Sequence, residues 1–505
     1  MPPLASHPVL TCVEAKAWEA ALLQDEAAEW TAMQRAGGAI ACAVLSDSRE
    51  IGGLPDNARL LVLAGKGHNG GDALLAAKTL LETRPLVRAD VLLCFGELAL
   101  RPLARRALDE LLKLGGTRVR EVTFPGLKSE LAGYDVCLDG VFGFQFRPPL
   151  DDATAEILAW VNTHPRLRLR TAVDLPSGLG ETNAATVFRA DFTYATGIVK
   201  VPVLAPANAA FVGRIRYLDL GFFQVGRVVP DEPPALQHVL LPSLLAPLAA
   251  LRPAQSDKRA FGHLFVVGGS RSYPGAVLLT VQAALRSGVG LLTAFVPASL
   301  VPEYAARFPE AMWVAWPETP NGGLAASGLK LLLEKLPRAS ALAIGPGLGT
   351  ESETLATVQE IVRAAAVPLL LDADALRPEI LAAAAGKRLI ATPHAGELAR
   401  IAAETGWRKD GVLVAKGYPT RISAGGQTYF SLFGGPVLAR GGSGDVLAGL
   451  IGGLLAQAPG DLLLAAGRGV VWHGLAADLL ARDKGQVAVQ TTQLFDTLQP
   501  ALHSE

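Results

Sequence analysis

The chain has 505 residues, too many for one ordinary hydrophobic core, and this length predicts two large domains or three small ones. Half of the residues are hydrophobic and 18% are charged, a composition that excludes a disordered chain. The 46 basic and 47 acidic side chains nearly cancel, which excludes the strongly basic composition typical of nucleic-acid-binding and membrane-surface proteins.

The four cysteines predict free thiols rather than disulfides or a zinc site. Cys12, Cys42, Cys94 and Cys137 form no CxxC or Cys/His spacing. The first residues lack a basic segment followed by an apolar core, and the apolar runs are shorter than a membrane span. We therefore expect a cytoplasmic protein with no membrane partner and no nucleic-acid partner.

In the first third of the chain, strands, glycine turns and helices alternate in the order typical of a doubly wound α/β sheet. The predicted helices cover 13–45, 73–81 and 101–114, and the predicted strands cover 59–64, 89–95, 136–138 and 171–173. Asp139 and Asp174 directly follow the last two strands. Both carboxylates are therefore expected at the carboxyl ends of strands, where open α/β sheets bind their ligands.

The turn between the first of these strands and its helix allows three interpretations. Gly65-x-Gly67-x-x-Gly70 matches the dinucleotide fingerprint, although Asp72 would place negative charge beside a pyrophosphate. Alternatively, the amide, carboxylate and hydroxyl oxygens of Asn69, Asp139 and Ser177 converge on a hard cation. In the third interpretation, each aspartate merely caps a turn after its strand.

Three motifs in this order resemble the NAD(P)H-hydrate epimerase domain: Gly65-Lys-Gly-x-Asn-Gly-Gly-Asp72, Asp139-x-x-Phe-Gly143 and Asp174-x-Pro-Ser-Gly178. The resemblance spans about residues 10–225 and implies a Rossmann-like, three-layer αβα domain. The sequence departs from the family pattern at His68, where Asn is usual, and at Phe144-Gln145, which replaces a Thr-Gly pair. In addition, the stretch beginning at Glu181 replaces the usual Asp-Thr-Gly.

The epimerase resemblance implies a site of three parts. Asp174 matches the acid/base aspartate at the hydrated ring. Asn69, Asp139 and Ser177 match the ligands of a potassium ion. The contacts with the hydrated dinucleotide match His68, Asn69, Gly70, Gly71, Asp72, Gly143, Phe144, Gln145, Phe146, Arg147, Pro148, Pro149 and Asp174.

Prolines without a long periodic element mark the middle of the chain, between residues 222 and 255. We therefore predict an N-terminal domain over 1–225, a proline-containing linker over 226–240 and a C-terminal domain over 241–505.

The second half of the chain repeats the alternation of strands and helices, which predicts another three-layer α/β domain. The predicted strands are 263–267, 290–296, 341–344, 368–371, 388–391 and 411–415. The turn after the first of them lacks Gly-Lys-Ser/Thr and is not a P-loop. Short loops after strands place Gly349, His394, Lys416 and Asp445 on one rim. Alternatively, His394 caps the helix 396–404 and Lys416 makes a surface ion pair.

A glycine-rich turn, Ala439-Arg-Gly-Gly-Ser-Gly-Asp445, leads into an amphipathic helix. The spacing predicts that this helix starts at or just after Asp445. Free N–H groups and the helix dipole make such a turn an anion site, at which a carboxylate could accept a proton from a hydroxyl group. The alternative is that Asp445 is only an N-cap residue.

The C-terminal motifs resemble the ADP-dependent NAD(P)H-hydrate dehydratase, which has a ribokinase-like fold. They are Gly345-Pro-Gly-Leu-Gly349, Asp372-Ala-Asp-Ala-Leu376, Thr392-Pro-His-x-Gly-Glu397, Lys416-Gly and Gly441-Gly-Ser-Gly-Asp-Val-Leu447. The resemblance implies that Ala276, Gly349, His394 and Asp445 contact the hydrated nicotinamide. It implies that the adenine nucleotide contacts Lys416, Gly417, Tyr418, Pro419, Thr420, Gly442, Ser443 and Gly444.

Together the two motif sets resemble the bifunctional NAD(P)H-hydrate repair enzymes. The implied reaction is dehydration of hydrated NADH or NADPH, with ADP or ATP as the phosphoryl donor, Mg²⁺ on the nucleotide and Asp445 as the base. The implied cofactors include K⁺, and we further expect a homo-oligomer. One alternative is a ribokinase-type small-molecule kinase with an N-terminal dinucleotide-binding module that lacks epimerase activity. Another is an oxidoreductase or sensor built on the first glycine turn.

Overall fold

The computed structural model describes residues 4–129, 133–223, 235–405 and 411–503, which divide into two compact α/β units. The N-terminal unit comprises residues 7–237 and 482–485, and the C-terminal unit comprises 4–6, 238–481 and 486–503. The expected pair of α/β domains is confirmed. Among the described residues, no helix combines the length and the apolar character needed to cross a membrane.

The N-terminal unit is built on a sheet of seven parallel strands. The chain first extends the sheet to one side of the strand Arg59–Ala64 and then continues on its other side with Tyr134–Gly140. Open α/β sheets bind ligands at such a reversal of strand order. In spatial order the strands are Val119–Val122, Arg88–Leu93, Arg59–Ala64, Tyr134–Gly140, Leu167–Val173, Phe192–Thr196 and Arg214–Leu218.

Helices cover both faces of this sheet because successive strand residues point to opposite sides. Leu60 and Val62 pack into one core, and Leu61 and Leu63 pack into the other. The first core includes the helices Glu26–Asp47, His68–Thr83 and Pro102–Gly115, and the second includes Phe124–Ser129 and Asp152–Thr163. The remaining elements are the helices Cys12–Leu22, Val201–Leu204 and Ala209–Val212 and the short strands Ser6–Leu10 and Val199–Lys200.

The C-terminal unit is built on seven parallel strands extended by an antiparallel hairpin. Its strand order reverses between His263–Val267 and Ala341–Ile344. In spatial order the strands are Met312–Trp316, Leu291–Pro297, His263–Val267, Ala341–Ile344, Leu369–Leu371, Leu389–Ala391, Val412–Ala415, Thr420–Ala424, Gln427–Ser431 and Gln237–Leu240. The last of these lies inside the predicted linker, of which residues 226–234 lie outside the described residues.

Two helical layers also enclose the C-terminal sheet. One core contains the helices Pro274–Arg286, Ser443–Gln457, Leu462–Lys484 and Leu494–Ala501, and the other contains Leu329–Leu333, Ser352–Ala364, Pro378–Ala383 and Ala395–Thr405. Shorter helices are Ala246–Ala249 and Val301–Arg307.

Several predicted boundaries are wrong. The helix predicted over 13–45 is two helices, because Asp25 accepts a hydrogen bond from Ala28 N–H and starts a second one. The helix after the first glycine turn begins at His68 rather than at residue 73. The helix after the glycine-rich turn 439–445 begins at Ser443, not at or after Asp445. In both cases a glycine outside the helix serves as the N-cap, so the apolar periodicity starts later than the helix does.

Candidate functional site

The glycine turn of the C-terminal unit ends in a helix N-terminus that has no side-chain cap. Gly442 is the N-cap residue and has φ 87°, a left-handed conformation that glycine adopts without strain. Asp445 therefore lies in the first helical turn and is not the N-cap residue. The first N–H groups of a helix lack intrahelical partners, so this turn presents donors and the positive end of the helix dipole.

Two glycines hold this helix close to its neighbour. A Cβ on Gly449 would lie 2.2 Å from the Thr280 carbonyl oxygen, and one on Gly453 would lie 2.0 Å from Ser287 Oγ. Thr280 Oγ1 also donates a hydrogen bond to the carbonyl of Asp445 at 3.0 Å. The close packing and this bond fix the position of the helix N-terminus.

Lys416 joins the glycine turn to the carboxylates at the strand ends. Its Nζ lies 2.7 Å from Asp372 Oδ1 and 3.8 Å from Glu397 Oε2. The same Nζ would lie 3.2 Å from a Cβ on Gly444. Burial lowers the pKa of Lys416, but the charges of Asp372 and Glu397 outweigh it and raise this pKa above its ordinary value. Lys416 therefore stays a cation beside the turn.

Burial and neighbouring charged side chains raise the pKa of Asp445. Burial first, and then the charges of Asp372, Asp374 and Glu397, raise the pKa of Asp445 from 3.8 to about 7 against the lowering effect of Lys416. A carboxyl group with a pKa near neutrality suits proton transfer at physiological pH.

Three other residues are predicted to contact the hydrated nicotinamide. Ala276 and Gly349 follow the two strands between which the strand order reverses, and His394 follows the strand Leu389–Ala391. Gly349 N–H donates to Asp374 Oδ2 at 3.0 Å, and a Cβ on Gly347 would lie 3.1 Å from Ala276 Cβ. Ser270 Oγ is buried without a hydrogen-bond partner in the described structure. His394 is largely exposed, and its Nε2 lies 3.3 Å from Glu397 Oε1.

The residues predicted for the nucleotide are only partly brought together. Lys416 lies against Gly444, whereas the side chains of Tyr418 and Thr420 bond locally, to the carbonyls of Leu432 and Gly417. Gly417 and Pro419 lie in the same loop. Ser443 is buried, with Oγ 3.5 Å from His473 Nε2, so its side chain faces the helix behind it.

In the N-terminal unit the first glycine turn lies at the reversal of strand order. A Cβ on Gly65 would lie 1.9 Å from the Val141 carbonyl oxygen, and one on Gly70 would lie 2.2 Å from the Gly65 carbonyl oxygen. Only glycine permits these backbone approaches. Gly70 and Gly71 are buried in the first turn of the helix that follows.

Two of the three predicted cation ligands, Asp139 and Ser177, are hydrogen-bonded to each other at this edge. Ser177 Oγ donates to Asp139 Oδ1 at 2.6 Å, and its N–H donates to Asp139 Oδ2 at 2.8 Å. Asn69 Oδ1 would lie 3.1 Å from a Cβ on Gly143, and Asn69 Nδ2 is buried without a hydrogen-bond partner among the described residues. Burial raises the pKa of Asp139 to about 6 even though hydrogen bonds from Ser177 and Val141 lower it. This donor set of carboxylate, hydroxyl and amide oxygens fits a hard cation such as potassium.

Asp174 is buried and has φ 65°, a left-handed conformation that is rare for a residue with a side chain. Its Oδ2 accepts a hydrogen bond from Phe144 N–H at 3.3 Å, and its Oδ1 lies 2.5 Å from Lys200 Nζ. Backbone strain of this kind is commonly found at functional sites.

Lys200 and Glu19 were not predicted from the sequence. Lys200 is 1% exposed, and Glu19 Oε1 lies 3.9 Å from its Nζ. The available signal was weak: Lys200 is a lone charge within the apolar stretch 197–206, and a lysine buried there requires a partner.

The loop 143–149 is divided between core and surface. Phe144 and Phe146 are buried, whereas Gln145, Arg147, Pro148 and Pro149 are exposed. His68 is exposed, 3.4 Å from Glu29 Oε2. Asp72 is buried beside a cavity of about 60 Å³ that Glu19, Glu29, His68 and Thr196 also line.

Comparison with known proteins assigns both units. Residues 264–500 match a family model described as NAD(P)H-hydrate dehydratase, and residues 30–201 match that of the YjeF-related protein N-terminus. The bifunctional NAD(P)H-hydrate repair enzyme of Gloeobacter violaceus is 37% identical over 500 residues, which cover 94% of this chain and 93% of that enzyme. The chain belongs to the bifunctional NAD(P)H-hydrate repair enzymes.

Other relatives of this repair enzyme carry the same name. The one from Moorella thermoacetica is 34% identical over 91% of this chain and 90% of its own length. A solved ADP/ATP-dependent NAD(P)H-hydrate dehydratase from Bacillus subtilis, co-crystallised with ATP and Mg²⁺, is 28% identical and covers 50% of this chain and 93% of its own, with a TM-score of 0.43. Membership of the family favours repair over the kinase alternative, since the full-length relatives are named repair enzymes.

Proposed function

We propose that the C-terminal unit dehydrates NAD(P)H hydrates at the expense of a nucleotide, with Asp445 as the general base. The observation that carries this proposal is a carboxyl group with a pKa near 7 in the first turn of a helix with a free N-terminus. Such a turn binds phosphoryl oxygens through N–H groups while the carboxylate accepts a proton.

The proposed reaction replaces a poor leaving group with a good one. The hydroxyl oxygen on ring carbon 6 attacks the terminal phosphorus of ADP, Asp445 accepts the hydroxyl proton, and the bond from that phosphorus to AMP breaks. The new phosphate ester then leaves carbon 6 as phosphate, with the electron pair of its C–O bond. Loss of a proton from carbon 5 completes the double bond of the dihydropyridine.

Lys416 and the N–H groups of Gly442, Ser443 and Gly444 are proposed to hold the phosphoryl group during transfer. Lys416 remains charged because two carboxylates accompany it. Magnesium on the nucleotide oxygens would offset further negative charge, as phosphoryl transfer generally requires. Gly349, His394 and Ala276 are proposed to contact the hydrated ring.

For the N-terminal unit we propose interconversion of the R and S hydrates, with Asp174 as the proton-exchanging group. Asp174 Oδ2 lies close to Gly143 and Phe144, at the start of the loop proposed to contact the dinucleotide. Asn69, Asp139 and Ser177 would hold a potassium ion, which would supply positive charge for phosphate oxygens. Self-association and a cytoplasmic location stay predictions.

One assay on the full chain tests both activities. With hydrated NADH, ADP and Mg²⁺ we expect the absorbance of the dihydropyridine ring to return, with AMP and phosphate formed in equal amounts. Without ADP we expect pure R hydrate to yield S hydrate and no change in that absorbance. A stable phosphorylated product without dihydropyridine would instead indicate a kinase.

A further inference from the structure

Lys200 is buried in the N-terminal unit beside Asp174, with the 23% exposed side chain of Glu19 and the buried Asp72 nearby. It follows Val199 in the short strand that pairs with Val9 and Leu10, and it is 1% exposed. Its Nζ lies 2.5 Å from Asp174 Oδ1 and 3.3 Å from the Thr196 carbonyl oxygen.

The other two carboxyl groups, those of Glu19 and Asp72, make no close ion pair with Lys200. Glu19 Oε1 lies 3.9 Å from Lys200 Nζ, and Asp72 Oδ1 is buried with no hydrogen-bond partner in the described structure. Burial, and to a smaller extent the charge of Asp174, raises the pKa of Asp72 well above its ordinary value. Burial raises the pKa of Glu19 to about 7. The closest carboxyl partner of Lys200 is therefore Asp174, whereas the raised pKa values of Glu19 and Asp72 favour the protonated forms of those two groups.

The two oxygens of Asp174 have different surroundings. Oδ1 contacts Lys200, whereas Oδ2 receives the Phe144 N–H and would lie 3.3 Å from a Cβ on Gly143. The Lys200 ammonium lies over the Phe144 ring, 4.8 Å from its centroid. Lys200 thus contacts both Asp174 and the loop, while Oδ2 is directed toward that loop.

We propose that Lys200 is a positioning residue for epimerisation: its ammonium pairs with Oδ1 of Asp174, offsets the negative charge of that carboxylate and directs Oδ2 toward the hydrated ring. The proposal rests on the proposed function of the N-terminal unit. Lys200 acts through Asp174 and need not touch the reacting atoms. The charged and titratable groups that interact with Asp174 besides Lys200 are Glu19, Asp72 and Cys12.

The test is the pH dependence of R-to-S conversion by the full chain, compared between wild type, Lys200→Met and Lys200→Arg. Removing a cation in contact with a carboxylate raises the pKa of that carboxylate by about 1–3 units. For Lys200→Met we therefore expect the acidic limb of the kcat profile to move up by about one pH unit or more, with KM changed less than about threefold. Lys200→Arg is expected to keep the limb near its wild-type position.

A matched control is Lys128→Met, which removes an exposed lysine paired with Glu156 in the same unit. Its profile should match that of wild type, because exposed ion pairs contribute little. A Lys200→Met profile that is lowered equally at every pH would overturn the proposal, since a purely structural role predicts that result. A wild-type chain without R-to-S conversion would overturn the proposed function itself; an active wild type with an unshifted Lys200→Met would overturn only the role of Lys200.

A buried carboxylate without its partner destabilises a fold, so Lys200→Met could fail to fold. The double variant Asp174→Asn with Lys200→Met then decides, measured by circular dichroism and thermal unfolding. Recovery of folding in the double variant supports the proposal, because the need for Lys200 then disappears with the charge of Asp174. Failure of both variants to fold would overturn it.

Discussion

Asp445 lies in the first turn of its helix, where burial and three neighbouring carboxylates oppose its ionisation. Its pKa of about 7 means that the group is protonated at pH 5 and ionised at pH 9. A general base acts only in its ionised form. The rate of the phosphoryl-transfer step should therefore rise with pH through about 7.

We expect Asp445→Asn to lower dehydration by roughly 100-fold or more, the scale of a lost general base. In the wild type, the rate at pH 6 should be about one-tenth of the plateau above pH 8, because only that fraction of Asp445 is then ionised. Initial rates of dihydropyridine formation across this range provide the measurement.

The matched control is Asp496→Asn. Asp496 is exposed and occupies the equivalent first-turn position of the helix Leu494–Ala501, so it reports the effect of losing an acid near a helix N-terminus. Dehydration by this variant should resemble that of wild type. Equal rates for Asp445→Asn and wild type, or a flat wild-type profile, would contradict the role of Asp445.

Asp445, Lys416, Asp139 and Ser177 could be proposed from the sequence because each lies in a motif at the end of a strand or the start of a helix, although Asp139 lies inside the strand Tyr134–Gly140. Lys200 and Glu19 could not, because the ion pairs of Lys200 with Glu19 and Asp174 join segments that are far apart in the chain. Their significance comes from burial, which the order of residues alone does not specify.

At the level of elements, the helix Ser443–Gln457 depends on the left-handed backbone of Gly442 for its start. A Cβ at this position would also lie 2.5 Å from Leu279 Cδ1. Gly441 differs in both respects, since its φ is not positive and a Cβ there would meet nothing within 4 Å. Comparing alanine substitutions at Gly441 and Gly442 therefore distinguishes the need for a left-handed backbone at Gly442 from the general effect of adding a methyl group.

We expect Gly442→Ala to lower the free energy of unfolding by about 1–2 kcal/mol, the cost of a left-handed conformation for an L-residue. Gly441→Ala should change it by less than about 0.5 kcal/mol. Urea unfolding followed by circular dichroism measures both. Equal destabilisation by the two substitutions would show that Gly442 is not specifically required.

Most of the parallel strands could be predicted because they are continuous apolar runs buried on both faces. The buried interior strand Phe192–Thr196 was missed, and so were edge strands. Val119–Val122 exposes Arg120 and Glu121, and Met312–Trp316 is partly exposed, so neither shows the apolar run of a central strand. The hairpin of Thr420–Ala424 and Gln427–Ser431 was also missed, although Gly425-Gly426 is a typical hairpin turn.

On the scale of the whole molecule, the two units share one architecture. Each unit has a largely parallel sheet enclosed by helices, and each has a glycine-rich turn that leads into a helix with a glycine N-cap. The two turns differ in chemistry: Lys416 and Asp445 face the C-terminal one, whereas Asn69, Asp139 and Ser177 gather oxygen ligands at the N-terminal one. This difference agrees with two separate activities in one chain.

The most direct measurement follows pure R hydrate of NADH with ADP and Mg²⁺ in the full-length wild type, Asp174→Asn and Asp445→Asn. We predict that wild type forms dihydropyridine through the S hydrate. Asp174→Asn should dehydrate added S hydrate, but its initial rate with R hydrate should be close to zero. Asp445→Asn should convert R hydrate to S hydrate without restoring the absorbance of the dihydropyridine. Undiminished restoration of absorbance from R hydrate by either variant would contradict the assignment of one catalytic carboxylate to each unit.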